Sequence, residues 1–270
     1  MTARVKPLAG TDDERAARRD LALAFRLAER FGFHEGICNH FSVRLHEVPG
    51  PGASTDRSGA DERYLIIPYG LHWSAMEADS LLVIDGDGRV LEGSGEVEDT
   101  ARFIHVAAHR AVPRHRAVFH THMPWATTLT LLEGEAGEIR MAHQSACRFH
   151  DRIAYEPEFA GLALDDDEGS RIARGASSRP DTDIVFLAAH GVMVGAPSIA
   201  LAFDELYYLE RVCRQQVLAM HTGAPLRRLP DAVVERTAAQ TRGDLEAVAE
   251  KHFRALGAVL ARWPDRAMTF

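Results

Sequence analysis

Two apolar, β-prone runs in this chain end on histidine, and together they constrain its fold more than any other feature. Arg116-Ala-Val-Phe-His-Thr-His122 closes on a His-x-His, and Phe186-Leu-Ala-Ala-His-Gly191 closes on His190. Side chains alternate along a strand, so His120 and His122 project to the same side, about 7 Å apart along the backbone. Both can then reach one ion. The second run supplies a third imidazole, and Gly191 after it leaves the backbone free to turn. Three nitrogen donors on two strand ends are the ligand count of a catalytic metal site with open positions. The alternative is that these are strand-end histidines held by neighbouring hydrogen bonds. Either way, the two runs must be brought side by side in one sheet.

The rest of the chain mixes helices and strands. Asp12 to Phe31 has helical apolar spacing at Leu21, Phe25 and Ala28, acids in its first turn, and Gly32 and Gly36 to stop it. Phe41–Leu45, Tyr64–Pro68 and Leu81–Asp85 read as strands, with Asp85-Gly-Asp-Gly88 turning into Arg89–Glu92. Pro49 to Glu62 reads as a polar loop. A helix capped by Asp99 or Thr100 runs to Val112, before Pro113. Ala117–His120 is a strand, Pro124–Glu133 a helix, Asp165–Arg174 a helix whose acidic start is solvated, and Ile184–Ala188 a strand. Long helices follow over Pro197–His221 and Asp231–Leu260, the latter broken near Gly243. Without strict βαβ alternation, the pattern predicts an α/β fold with a central mixed sheet and helices on both sides. One domain over 1–270 is expected, with 1–17 a polar extension and 225–270 a helical C-terminal segment.

Composition excludes several classes. A formal charge of −8 argues against a nucleic-acid or anionic-membrane surface. Only Lys6 and Lys251 are lysines, which removes most candidates for a Schiff base. Cys38, Cys147 and Cys213 are widely spaced, with no CxxC, and suggest free thiols in a reducing compartment. Residues 1–20 lack an apolar leader, and no apolar run reaches the ~18 residues of a membrane helix. A cytoplasmic protein with a small-molecule substrate is the expectation.

Other polar residues carry two readings each. His40 sits between glycine-flanked segments, facing the site as an acid/base or as a donor to a carboxylate, or else as a loop histidine in a structural hydrogen bond. His105 and His109, at i and i+4 on a helix, could bind metal, but packing against the sheet is favoured. Tyr69 and Trp73, with Gly70 leaving room, either line an aromatic pocket or belong to the core. His143 and His150 are further pocket candidates.

Several ordered motifs then make the chain similar to the class II aldolase/adducin family. Gly36-Ile-Cys-Asn-His-Phe-Ser-Val-Arg44 resembles its glycine-rich segment leading into Ser-x-Arg, and Ile67-Pro-Tyr-Gly70 its substrate loop. Ile104-His-x-Ala-Ala-His109, Ala117–His122, Ala189-His-Gly-Val-Met193 and Ala202–Glu210 resemble, in order, the helix and strands of its metal site and the long helix after them. The resemblance spans roughly Arg18 to Gln240. It implies a three-layer αβα fold with a largely antiparallel sheet, and a homo-oligomer, often a tetramer. It also implies one divalent ion, Fe(II) or Zn(II), on His120, His122 and His190.

The departures from the family pattern steer the functional expectation. Aligned without gaps, the catalytic Glu or Asp of the family's aldolases and epimerases falls on Ala101. Glu98 and Asp99 stand two or three residues away as replacements. The phosphate-binding positions look like Asp99-Thr100, Tyr69-Gly70 and His40, and an acid there repels a phosphate. The resemblance therefore points toward a metal-dependent cleavage next to a carbonyl or carboxylate. Its oxygenase/decarboxylase branch, with Fe(II) and an aromatic 2-oxo or 2-hydroxy acid, comes first. A zinc-dependent aldolase or other lyase comes second, and a non-catalytic adducin-like module third.

Overall fold

The computed structural model describes residues 10–45, 62–159, 161–162 and 166–262. Among these, eight strands form one sheet: β1 His40–Arg44, β2 Tyr64–Ile66, β3 Leu82–Ile84, β4 Val90–Glu92, β5 Ala117–Thr121, β6 Ile153–Glu156, β7 Ile184–Leu187 and β8 Gly191–Ala196. Their order is β4-β3-β2-β1-β5-β8-β7-β6. Every pairing is antiparallel except β6 with β7, so the sheet is mixed and largely antiparallel as expected. The two histidine-bearing segments are neighbours: β5 pairs β8, and β8 turns back on β7.

The sheet is covered on both faces because its strands alternate apolar side chains to either side. On one face, α1 (Asp12–Phe31) and α5 (Ile199–His221) pack over Phe41, Phe119, Val192 and Val194, with α7 (Leu245–Arg262) outside α5. Phe25, Phe41 and Phe119 stack at centroid distances of 4.8 and 3.9 Å. On the other face, α2 (Asp99–Ala111) and α4 (Asp166–Ala176) bury Ile104, Ala108 and Ile172 against Val118, Val185 and Met193. The two remaining helices are α3 (Pro124–Thr130) and α6 (Asp231–Arg242). No helix of the described residues is long and apolar enough to cross a membrane.

The sequence-based boundaries of α1 hold because its signals are local. Thr11 Oγ1 accepts from the Glu14 N–H, and Gly32 ends the helix in the left-handed region at φ 72°. Other expectations shift. The N-cap of α2 is Glu98, one residue before the expected cap, and its carboxylate accepts from the Ala101 N–H. Helix α3 stops at Thr130 rather than Glu133. Strands β6 and β8 were not anticipated. β6 is only four residues, and β8 starts one residue past His190, at the glycine expected to free the backbone for a turn. The expected loop over 49–62 lies outside the described residues except for Glu62, as do Asp165 and most of the expected N-terminal extension.

Candidate metal centre

The end of β5, the β7–β8 turn and the segment before β1 meet at one corner of the sheet. His120 is the penultimate residue of β5, His122 follows the strand, and His190 is the last residue of the tight turn into β8. Ala189 in that turn holds φ 53°, which lets three residues reverse the chain. Gly191 is not needed for the turn itself. A Cβ there would stand 2.7 Å from His122 Cδ2 and 2.8 Å from the Thr121 carbonyl, so glycine lets β8 approach the His122 ring. The three imidazoles form a near-equilateral triangle, with centroid separations of 5.1, 4.8 and 4.8 Å. One ring nitrogen from each lies within 4.8 Å of the other two, close enough to hold a single ion.

Hydrogen bonds around the triangle fix which nitrogen His120 and His122 offer. His120 Nδ1 donates to the Val192 carbonyl at 3.1 Å, leaving Nε2 free. His122 Nδ1 donates to the Glu35 carboxylate at 2.5 Å. His122 Nε2 is buried and has no hydrogen-bond partner. A buried, unpartnered imidazole nitrogen facing two others fits a metal site, because an ion satisfies what would otherwise be a desolvated lone pair. Burial first, then the rings of His190 and His40, hold the His120 pKa well below the ordinary histidine value. The neutral form is the one that binds metal.

Two residues of this corner were not anticipated. Glu35 orients His122. Asn39, at φ 102°, accepts from the Glu35 and His122 N–H groups at 3.1 and 3.3 Å through Oδ1, tying the pre-β1 turn to the end of β5. Its Nδ2 is buried without a partner. A left-handed φ at a non-glycine residue is the kind of signal only a structure reveals, although Asn is the side chain that best tolerates it. Glu210 on α5 is a third support. Its two oxygens accept from the Trp125 and Ala126 N–H groups at 2.9 Å each, anchoring the start of α3 just after His122.

A cavity of about 270 Å³ opens over the histidines. Its walls include Glu35, Asn39, His40, Tyr69, Glu98, Thr100 and Ala101, with Ile37, Ile67, Pro68, Ile104 and Leu162 supplying apolar surface. No Arg or Lys stands among the described lining residues. His40 pairs directly across the ladder with His120 and is buried. Glu98 Oε2 lies 4.0 Å from His40 Nε2. Burial, followed by the rings of His105 and His122, holds His40 well below the ordinary histidine pKa. With His40 neutral, that contact is not an ion pair. Thr100 donates its hydroxyl to Glu98.

Other expected site residues fall elsewhere. Trp73 is fully buried against Phe25 and Phe41, at 4.9 and 4.7 Å, and belongs to the core under α1 rather than to the cavity wall. Of the two replacement acids, Asp99 is exposed on the first turn of α2 and does not line the cavity; only Glu98 does. Gly70 turns the chain at φ 85° beside Tyr69 without lining the cavity. His143 and His150 also stand apart: His143 precedes a 3-10 turn over Gln144–Phe149, and His150 borders a different depression with Arg140 and Leu229. His105 and His109 pack against the sheet, as favoured, hydrogen-bonded to Ser42.

A sheet with this order, carrying three convergent histidines at this corner, defines a class. Residues 19–217 match the class II aldolase and adducin N-terminal domain. The chain belongs to the class II aldolase/adducin family. An adducin-related protein of Schizosaccharomyces pombe is 30% identical over 204 residues, 73% of this chain and 57% of its own length. This chain thus spans little more than half of that relative. The decarboxylase NovR of Streptomyces niveus is 28% identical over 249 residues, 91% of this chain and 84% of the decarboxylase. Among solved structures, an aldolase II superfamily protein from Pseudomonas syringae superposes with a TM-score of 0.81 at 28% identity, over 96% of this chain and 97% of that one. Relatives of this kind include divalent-metal lyases, and the histidine triad is in place here.

Proposed function

We propose that this protein is a metal-dependent enzyme that cleaves a carbon–carbon bond next to the carbonyl or carboxylate of a small, apolar or aromatic 2-oxo or 2-hydroxy acid. We assign the ion to His120, His122 and His190, and infer Fe(II) with dioxygen as the working pair. The carrying observation is a three-histidine corner under a cavity with apolar walls and no cationic side chain among its described lining residues. When bound, the ion supplies Lewis acidity to substrate oxygens, and Fe(II), unlike Zn(II), also activates dioxygen. Three neutral ligands leave the ion its full charge and open positions for two substrate oxygens.

The chain's own residues divide the remaining work. The unpartnered Asn39 Nδ2 offers a donor to a substrate carboxylate. Ile37, Ile67, Pro68, Tyr69, Ile104 and Leu162 receive the apolar part. Tyr69 stands 56% exposed at the rim, where an aromatic substrate would cover it. His40, whose Nε2 stands beside Glu98 in the cavity wall, takes a proton from the substrate. Apart from the ion, a phosphate dianion finds two carboxylates here, Glu35 and Glu98, and no cationic side chain among the described lining residues. The likeness to the Streptomyces niveus decarboxylase over nine-tenths of the chain supports a decarboxylating cleavage.

Glu98 favours a second reading, a zinc-dependent aldolase or other lyase in which its carboxylate replaces the acid missing at Ala101. A non-catalytic module has less support, since all three histidines and the cavity are retained. We infer a homo-oligomer, tetrameric as in the family's aldolases. One experiment separates the readings: metal analysis of anaerobically purified protein, with oxygen uptake measured against a panel of 2-oxo and 2-hydroxy acids. Oxygen-coupled turnover with Fe(II) supports the proposal. Full turnover with Zn(II) under strict anaerobiosis leaves a lyase, and preference for a sugar phosphate overturns the pocket argument.

A further inference from the structure

Behind His40 runs a line of polar side chains that the proposed chemistry has not used. It lies between β1 and α2, on the sheet face covered by α2 and α4. His109 Nδ1 meets the His115 carbonyl at 3.0 Å, and His109 Nε2 meets Ser42 Oγ at 2.8 Å. Ser42 Oγ also meets His105 Nδ1 at 2.5 Å, and His105 Nε2 meets His40 Nδ1 at 2.7 Å. All four side chains are buried.

The direction of every bond in this chain follows from its far end. A carbonyl oxygen only accepts, so His109 Nδ1 carries a proton and donates it. Burial above all holds His109 and His105 at pKa values of about 3, so each ring carries one proton. His109 Nε2 is then a bare acceptor, and the single Ser42 hydroxyl proton must point to it. Ser42 Oγ is left to accept, and His105 Nδ1 donates to it. His105 Nε2 is in turn bare, so His40 Nδ1 must be the donor. One carbonyl thereby dictates a tautomer three side chains away. The remaining nitrogen of His40, Nε2, borders the cavity beside Glu98 Oε2, itself an acceptor occupied by Thr100 and the Ala101 N–H. What fits between two acceptors 4.0 Å apart is a donor, and a substrate O–H is the group of that kind.

We propose that Ser42, His105 and His109 are positioning residues that hold His40 as its Nδ1–H tautomer, keeping a bare Nε2 turned to the cavity as the acceptor for a substrate hydroxyl. This rests on the reading of His40 as a group that touches substrate. It adds a selection rule: a 2-hydroxy acid, or the enol of a 2-oxo acid, offers the proton that this lone pair takes. An analogue without an O–H leaves a buried acceptor unpaired, which sites of this kind reject strongly.

The test uses metal-loaded, full-length protein labelled with 15N-histidine. Long-range proton–nitrogen spectra report which nitrogen of each ring carries the proton, with His40 assigned by its loss in His40→Asn. The wild type is expected to show Nδ1–H and bare Nε2 at His40. Ser42→Ala removes the only link that enforces direction, so His40 should become a mixture of tautomers. The kcat should fall about two- to tenfold, in proportion to the competent fraction, with metal content and KM unchanged. Ser42→Thr keeps the hydroxyl and should restore both the single tautomer and kcat. A proton on His40 Nε2 in the wild type overturns the inference, and that measurement needs no variant to fold. So does a Ser42→Ala spectrum identical to wild type. A mixed tautomer with unchanged kcat instead removes His40 from the reaction, so failure of the functional reading is distinguishable from failure of the chain.

Discussion

Removing the Glu35 carboxylate tests whether the triad is a metal centre without touching any proposed ligand. Glu35 accepts from His122 Nδ1 at 2.5 Å and so fixes both the tautomer and the ring plane that would present Nε2 to the proposed ion. Losing such an outer partner typically weakens metal binding by 10–100-fold. The position of Glu35 decides where in that range this site falls. Its side chain is 66% exposed, so water can replace the carboxylate as acceptor, and solvent screens its charge. His120 keeps its own anchor, the backbone carbonyl of Val192, whatever happens at Glu35. The expected effect of Glu35→Ala is therefore near the lower end, about tenfold or ~1.4 kcal/mol. Glu35→Gln retains an acceptor and should lose less than Glu35→Ala. Competition titration against a chromogenic chelator, at fixed pH and with Zn(II) as a redox-inert probe, measures both. Glu35→Ala with unchanged affinity would refute the carboxylate–histidine–metal arrangement. Complete loss of metal would show that Glu35 is itself a ligand.

Further outcomes follow from other parts of the same corner. His120→Ala, His122→Ala or His190→Ala should each abolish stoichiometric metal and activity, and a triple variant that still binds one equivalent sinks the assignment. Asp99→Asn should leave kcat within about twofold, because its side chain is exposed off the cavity. Glu98→Gln should lower kcat by less than the 10²–10⁴-fold of a lost general acid or base; a larger loss with metal retained restores the aldolase-like reading. Glu210 is pushed up from 4.5 to about 7 by burial, against the pull of the Trp125 and Ala126 N–H groups. A raised folded pKa means stability fully present below pH 4.5 and lost as pH rises through about 7, worth ~3 kcal/mol at most. Urea titrations between pH 5 and 8 should show that fall in wild type and a flatter profile in Glu210→Gln. Parallel profiles would refute it.

What could be read from the sequence was what is local. The α1 boundaries follow from Thr11, Gly32 and helical spacing, and the three convergent histidines from two apolar runs, the first with period-two alternation. The neighbours of the triad are not local. Glu35 and Asn39 reach His122 across more than eighty residues, and nothing in Glu35-Gly36 or Asn39-His40 announces that they do. Trp73 shows the opposite error. A Trp three residues past a Tyr-Gly turn reads equally as pocket or core, and only the Phe25 and Phe41 rings, on separate elements, decide for the core. The β6 strand was missed because it is only four residues long, and β8 because it begins at Gly191, the residue whose sequence signal was a turn.

The apparent absence of an acid at Ala101 also changes meaning in three dimensions. Ala101 is the third residue of α2 and lines the cavity, so a gap-free comparison places the acid on the helix itself. Glu98, the N-cap, sits before the first turn and folds its carboxylate back over the end of the helix. Its Oε2 receives the Ala101 N–H at 2.9 Å and the Thr100 hydroxyl. A capping carboxylate thus comes to the neighbourhood that a longer side chain at Ala101 would occupy, but with two of its lone-pair directions already committed to the helix. Such a group accepts a hydrogen bond from a substrate more readily than it shuttles a proton, since giving up the Ala101 N–H leaves a helix donor unmade. That leaves His40, whose Nε2 has no protein donor among the described residues, as the group free to move a proton at this corner. Glu98→Gln, which keeps one capping oxygen, and His40→Asn, which removes the lone pair, should therefore differ sharply. The first should be tolerated, and the second should lose about 10²-fold or more in kcat with metal retained. Equal losses in the two variants would return the proton transfer to Glu98.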